Sequence, residues 1–353
     1  MYTGRIIAGR PGQIRLDEKS CPKETADMIF ALMDQYASVK RIVNFTDNLH
    51  YENDGVTIMD LLRFGEYAKL NELIQPTIHL IAQAQSAALA ELKIPIAENT
   101  GISLGWFSSL TESGVFGPGH EGRKKSAVHI RNRNICMQGI QGNYGALKNP
   151  DPDKNNITQR AMGCFITYLN AGFSGRDPVA EIAGENSPST VVIAYKDEAA
   201  DKLKKETRAR GLRFYKLSLP GYHSSHAGDA GIKVGKYFSG VDIYDPTTPV
   251  RSDLDGSLLT SAQQIRDTIN VHTSGKLQYQ IALEEALEIH RKGGGIVETK
   301  PKVSQTFIGL GLGSVPVNYA TELAKFHSIK VNAFSAFDGK GQRSEELEKL
   351  TRK

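Results

Sequence analysis

"AENTGISLGWFSSLTESGVF", residues 97–116, decides how this chain is read. Ser103 stands between two glycines in Gly101-Ile102-Ser103-Leu104-Gly105, after the apolar run "KIPIA" (93–97) and before "LGWFSSLTES" (104–113). The run reads as a strand, and the segment after the serine as a helix that Gly114 ends. Upstream, "ADMIFALMDQY" and "TIHLIAQAQSAALAEL" carry apolar residues at helical spacing. Helix, strand, tight turn, helix is the setting that holds a nucleophilic serine on a sharp elbow. Glycines on both sides suit such a turn, because a side chain at either flank would collide with the adjoining helix or strand. The Leu104 N–H would then point out of a helix N-terminus, where a developing oxyanion is favoured. The pentapeptide alone is weak, and an ordinary loop serine remains the competing reading until a base is found.

Composition narrows the class. The 353 residues are 40% hydrophobic and 23% charged, ordinary for a globular chain able to hold one large domain and a smaller one. No apolar run nears the roughly 18 residues of a membrane span, and "MYTGRIIAGRPGQ" has too short an apolar stretch for a signal peptide. Cys21, Cys136 and Cys164 are far apart and odd in number, which argues against a disulfide framework and for a reducing cytoplasm. The net charge of +4 is small. The basic clusters "GRKKSAVHIRNR" (122–133) and "KLKKETRARGLR" (202–213) lack interleaved aromatics and read as solvated helix faces, not a nucleic-acid surface.

A serine nucleophile needs a base, normally histidine. Of nine histidines, His223 and His226 follow an apolar alternating run in "KLSLPGYHSSHAGDA" (216–230). Their spacing would also allow a metal, but no nearby Cys, Asp or Glu completes a ligand set, so no metal is expected.

At this point the chain resembles the malonyl-CoA:acyl-carrier-protein transacylases and the acyltransferase domains of fatty-acid and polyketide synthases. The resemblance starts at Gln75-Pro76 and runs through the elbow, where that family has Gly-His-Ser-Leu-Gly-Glu. It continues through "RNICMQ" (133–138), "GENSPSTVVIAYKDEAADKL" (184–203), "LSLPGYHSSHAGDA", "PTTPVRSDLDG" (246–256) and "GKLQYQIALEEAL" (275–287), so it covers most of residues 5–310. Each motif is short; their order is what carries weight.

The resemblance implies roles. Ser103 falls on the nucleophile, Leu104 on its oxyanion-hole amide, and His223 on the base. Gln278 falls where the family places a backbone carbonyl that orients the histidine. "RPGQ" (10–13) is similar to the family's Phe-Pro-Gly-Gln-Gly and puts Gln13 at the second oxyanion-hole amide. Arg133 stands where an arginine pairs with the free carboxylate of the malonyl group; Arg131 lies roughly 200° away around a helix, so only one of them can face a pocket. Tyr222 falls on an aromatic that walls off an α-methyl group.

There are departures. Ile102 replaces the family's histidine and Trp106 its glutamate, and both would add apolar surface beside the elbow. Residues 116–127 and 143–159 read as loop-rich insertions, and the tail after Gly313 as added charged helix or disorder.

The implied fold is α/β: a large α/β-hydrolase-like domain with a parallel sheet, residues 1–142 and 218–353, interrupted by a small ferredoxin-like α+β domain at 143–217. The implied activity is transfer of malonyl from coenzyme A to the phosphopantetheine thiol of an acyl carrier protein through a seryl ester. Coenzyme A enters as the substrate's carrier, with no resident cofactor; nucleic acid and membrane are not expected partners. A hydrolase that clears carrier proteins is the rival enzyme reading, and a carrier-binding scaffold the non-enzyme one.

Overall fold

The computed structural model describes residues 5–352 apart from 14, 19–20, 22–23, 152–158, 172–177, 218, 290, 293–294 and 297–304. Two sheets organise the described chain. The larger has six strands in the order Val331–Ser335, Gln305–Gly309, Arg5–Arg10, Glu98–Gly101, Val250–Arg251 and Leu258–Leu259. The first four pairings are parallel and the last is antiparallel. "QTFIG" is buried along its whole length, as expected of a parallel strand covered on both faces.

The helix Ile74–Glu91 packs behind the elbow, and every residue from Ile74 to Leu89 is buried. Its alanines and serine let neighbouring helices approach closely, so it is enclosed on all sides rather than amphipathic.

The smaller sheet is antiparallel, in the order Ala180–Ser187, Thr190–Tyr195, Asn143–Lys148 and Arg213–Lys216. With helices Gln159–Ala171 and Ala200–Ala209 it forms a β-α-β-β-α-β unit of ferredoxin-like order. It has its own core, including Leu147, Phe165, Leu169, Ile193 and Leu203. Its edge docks on the larger part where Glu185 N–H donates to Leu277 O (2.9 Å) and Leu277 N–H to Ala183 O (2.9 Å). The cleft between the two sheets opens beside this seam.

Four local expectations are corrected. "KIPIA" is not a strand: the strand is Glu98–Gly101, one step later, while Ile94 and Ile96 pack against the core from irregular chain around Pro95. Residues 119–127 begin the long helix Gly119–Cys136 instead of a loop, with Arg123 turned inward onto Glu112 (2.9 and 2.6 Å). The tail does end in a charged helix, Glu345–Thr351, but is no appendage: helix Val315–Phe326 returns the chain to strand Val331–Ser335, which completes the parallel sheet. Of residues 143–159, the first six are a strand of the small sheet, and 152–158 lie outside the described residues.

Candidate active site

Ser103 occupies the turn between strand Glu98–Gly101 and helix Leu104–Glu112, with φ +52° and ψ −108°. That region is costly for a residue with a side chain, by roughly 1–3 kcal/mol, and persists only when the surroundings impose it. Here the imposition is close packing. A Cβ on Gly101 would lie 2.6 Å from Trp106 N and closer still to the Gly105 carbonyl; one on Gly105 would lie 2.5 Å from Pro11 O. Leu104 opens the helix, so its N–H precedes the first intrahelical bond and stays available at the positive end of the dipole.

His223 is brought to the serine from the segment after the small sheet. Its Nε2 lies 2.6 Å from Ser103 Oγ. It too has a positive φ, +55°, and its N–H donates to Thr273 O at 3.1 Å. On the other edge of the ring, Nδ1 faces two carbonyls, His272 O at 3.0 Å and Gly275 O at 3.2 Å. Two acceptors there fix the proton on Nδ1, leaving Nε2 free to accept from the serine. Burial, then the proximity of His272 and Arg133, holds the imidazole's pKa well below its usual value, so it is neutral at pH 7.

Gln278 is not the residue that orients His223. It is the N-cap of helix Tyr279–Ala286; its carbonyl accepts from Ala282 N–H (3.1 Å) and its side chain donates to Leu254 O (3.0 Å). The chain turns at Gly275, so the carbonyls of 272 and 275, not that of 278, face the base. Asp253 is a group the sequence reading did not single out. It is fully buried, and its Oδ2 accepts the Ser103 N–H at 2.6 Å.

Ser103, His223, Gln13, Ile102, Tyr144 and Tyr222 line a cavity of about 160 Å³ between the two sheets. Gln13 is further fixed by its amide approaching Tyr222 Oη at 3.5 Å. Tyr222 also borders a second cavity of about 520 Å³ that reaches Gln75, Asn134 and Met137. Trp106, unlike Ile102, does not line the cavity that holds Ser103: it is buried beneath the elbow, stacked on the His272 ring at 4.7 Å.

Arg133 lies on helix Gly119–Cys136 and is wholly buried. Its Nη1 donates to Gln75 Oε1, and its guanidinium stands 4.4 Å over the Phe107 ring. Nε and Nη2 have no hydrogen-bond partner among the described residues. Burial lowers its pKa to about 10, which still leaves it cationic at neutral pH. Two residues away, Arg131 points to the surface and pairs with Asp54 at 3.0 and 2.6 Å. His226 is partly buried against Gly142 and Gly221, away from Ser103. Among the described residues no group of three or more His, Cys, Asp or Glu could hold a metal, and no helix is long and apolar enough to cross a membrane.

No protein-family model matches the chain, and no curated protein matches it either. Solved structures do. An acyl-carrier-protein S-malonyltransferase from Bartonella henselae is 17% identical with a TM-score of 0.76, covering 99% of this chain and 98% of that one. One from Vibrio cholerae is 20% identical with a TM-score of 0.72, covering 94% and 96%. A malonyl-transacylase solved in complex with its type II PKS acyl-carrier protein is 17% identical with a TM-score of 0.76, covering 99% of each chain. From its parallel sheet and elbow to its antiparallel insert, the chain has the fold of the acyl-carrier-protein S-malonyltransferases.

Proposed function

We propose that this chain is an acyltransferase of the malonyl-CoA:acyl-carrier-protein transacylase family. The large part, residues 1–142 with 218–353, carries the chemistry, and the insert at 143–217 forms the opposite wall of the cleft. Ser103 Oγ attacks the thioester carbonyl of malonyl-CoA while its proton passes to His223 Nε2. The Leu104 and Gln13 amides receive the oxyanion. Collapse breaks the C–S bond, and His223 returns the proton to the departing thiolate. The malonyl ester on Ser103 is then attacked by the phosphopantetheine thiol of a carrier protein, which runs the same steps in reverse and frees the serine.

One observation carries the acyl assignment: a fully buried guanidinium with two donors that have no hydrogen-bond partner among the described residues, the Asp253 carboxylate acting on it only through space. A buried cation with donors left unpaired is costly, and the carboxylate of a dicarboxylic acyl group would pair with them. The presence of Arg133 favours malonyl transfer over the hydrolase reading, and the formed Ser103–His223 pair disfavours an inactive scaffold.

Incubation with radiolabelled malonyl-CoA and no acceptor tests this. Stable label on the protein, absent in Ser103→Ala and discharged by a holo carrier protein, is the expected result. Rapid release of free malonate would favour the hydrolase, and no label would overturn both enzyme readings.

A further inference from the structure

Ser103 and His223 come from segments 120 residues apart, and each holds a positive φ. A third group ties them together. Asp253 Oδ2 accepts the Ser103 N–H at 2.6 Å, and Asp253 Oδ1 accepts from His272 Nε2 at 3.0 Å. The carbonyl of that same His272 accepts from His223 Nδ1. One buried carboxylate thus reaches the serine through the main chain on one side and the base through residue 272 on the other. The His272 ring is held in plane by Trp106, stacked at an interplanar angle of 16°, and by Phe107 edge-on at 5.3 Å. This gives Trp106, the departure from the family's glutamate, a place in the molecule: it is the floor on which the His272 ring lies.

A carboxylate also places negative charge close to the carbon where an oxyanion must form, which would oppose the reaction if the charge were unshared. Donation from His272 draws that charge away from the serine. We propose that Asp253 and the His272 imidazole are positioning residues for acyl transfer, a carboxylate–imidazole bridge that locks the elbow serine to the carbonyl orienting its base. The proposal rests on the reading of Ser103 and His223 as nucleophile and base. Neither Asp253 nor the His272 ring lines the acyl cavity.

The test uses an alkyl fluorophosphonate on the full chain, read by intact mass, so that it does not depend on malonyl-CoA. The Ser103 Oγ–P bond forms, the P–F bond breaks, and fluoride leaves while His223 passes the serine proton to solvent. Wild type should gain one phosphonyl group and Ser103→Ala none.

Asp253→Asn keeps the shape but removes the charge and leaves one accepting oxygen in place of two, and His272→Leu keeps the carbonyl but removes the ring donor. Each should lower the limiting labelling rate about 10-fold, with the half-saturating reagent concentration changed less than about twofold. His272→Gln, whose amide can again donate to Asp253, should return most of the rate. The double variant, Asp253→Asn with His272→Leu, should be no slower than the slower single variant, because both break one chain of contacts. Circular dichroism and thermal unfolding identify which variants are folded.

A folded Asp253→Asn or His272→Leu protein that labels at the wild-type limiting rate overturns the proposal, as does additive loss in the double variant. Should both single variants fail to fold, His272→Gln decides: the wild-type rate supports the bridge, and a loss of about 10-fold despite an intact donor overturns it. Wild type that accepts the phosphonate but never malonyl would overturn the functional reading alone; no labelling at all would overturn both.

Discussion

Replacing Arg133 with Ala should collapse the preference for malonyl-CoA over acetyl-CoA. The magnitude follows from the site. Nε and Nη2 have no hydrogen-bond partner among the described residues, and the guanidinium is fully buried over Phe107. Two charge-assisted hydrogen bonds in such a place, less the cost of desolvating the substrate carboxylate, leave a net of about 2–4 kcal/mol. At about 1.4 kcal/mol per decade, the malonyl preference should fall roughly 30- to 1000-fold. Acetyl transfer should hold or rise, since the variant no longer buries a cation beside an uncharged acyl group. The assay is competition between malonyl-, methylmalonyl- and acetyl-CoA for self-acylation, read by intact mass on wild type and variant. Malonyl should also beat methylmalonyl in wild type, with Tyr222 in the cavity wall beside Ser103. A folded Arg133→Ala protein that keeps its malonyl-to-acetyl ratio would refute the carboxylate role. Arg131 offers no substitute, because Asp54 already holds it at the surface.

Four further outcomes are expected. His223→Ala should slow self-acylation by several orders of magnitude, whereas His226→Ala, which has no contact with Ser103, should change it less than about threefold; equal losses in kcat would show the base is misplaced. Gly105→Ala should cost about 2 kcal/mol or more and abolish acylation, because the new methyl meets the Arg10 and Pro11 carbonyls, while Gly163→Ala within helix Gln159–Ala171 should be neutral or stabilising by up to about 1 kcal/mol; chemical denaturation reads both. With its pKa held well below 6.5, His223 stays neutral as pH falls through 6.5, so the pH profile of acylation should keep its plateau there, and a half-loss at pH 6.5 or above would contradict this. Stability behaves differently: burial lowers His79 to about 3 and His129 to about 4, so the unfolded chain binds protons first as pH drops below 6.5, and Tm should decline from there toward pH 4.

The elbow was legible in the sequence because its constraint is local. Glycines on both sides of Ser103 answer to packing within one turn, and the helix that follows is written in ten residues. Arg133 was picked out by the resemblance, and helical phase added that Arg131 must then face elsewhere, as it does on Asp54. Tertiary structure decided what no local pattern encodes. "KIPIA" has the composition of a strand, yet pairing with Arg5–Arg10 starts in register only at Ile7 opposite Glu98, so the polar "ENTG" forms the strand instead. The charged tail looked peripheral until strand Val331–Ser335 found its partner in Gln305–Gly309. The carbonyls that face His223 belong to residues 272 and 275 rather than 278, and a backbone acceptor leaves no mark in residue identity; only the turn at Gly275 selects them. Asp253 lay in a short motif with nothing to distinguish it from the aspartate two residues on. Burial beneath the elbow, with Ser103 N–H on one side and the His272 ring on the other, sets it apart, and those contacts span 150 and 19 residues of sequence.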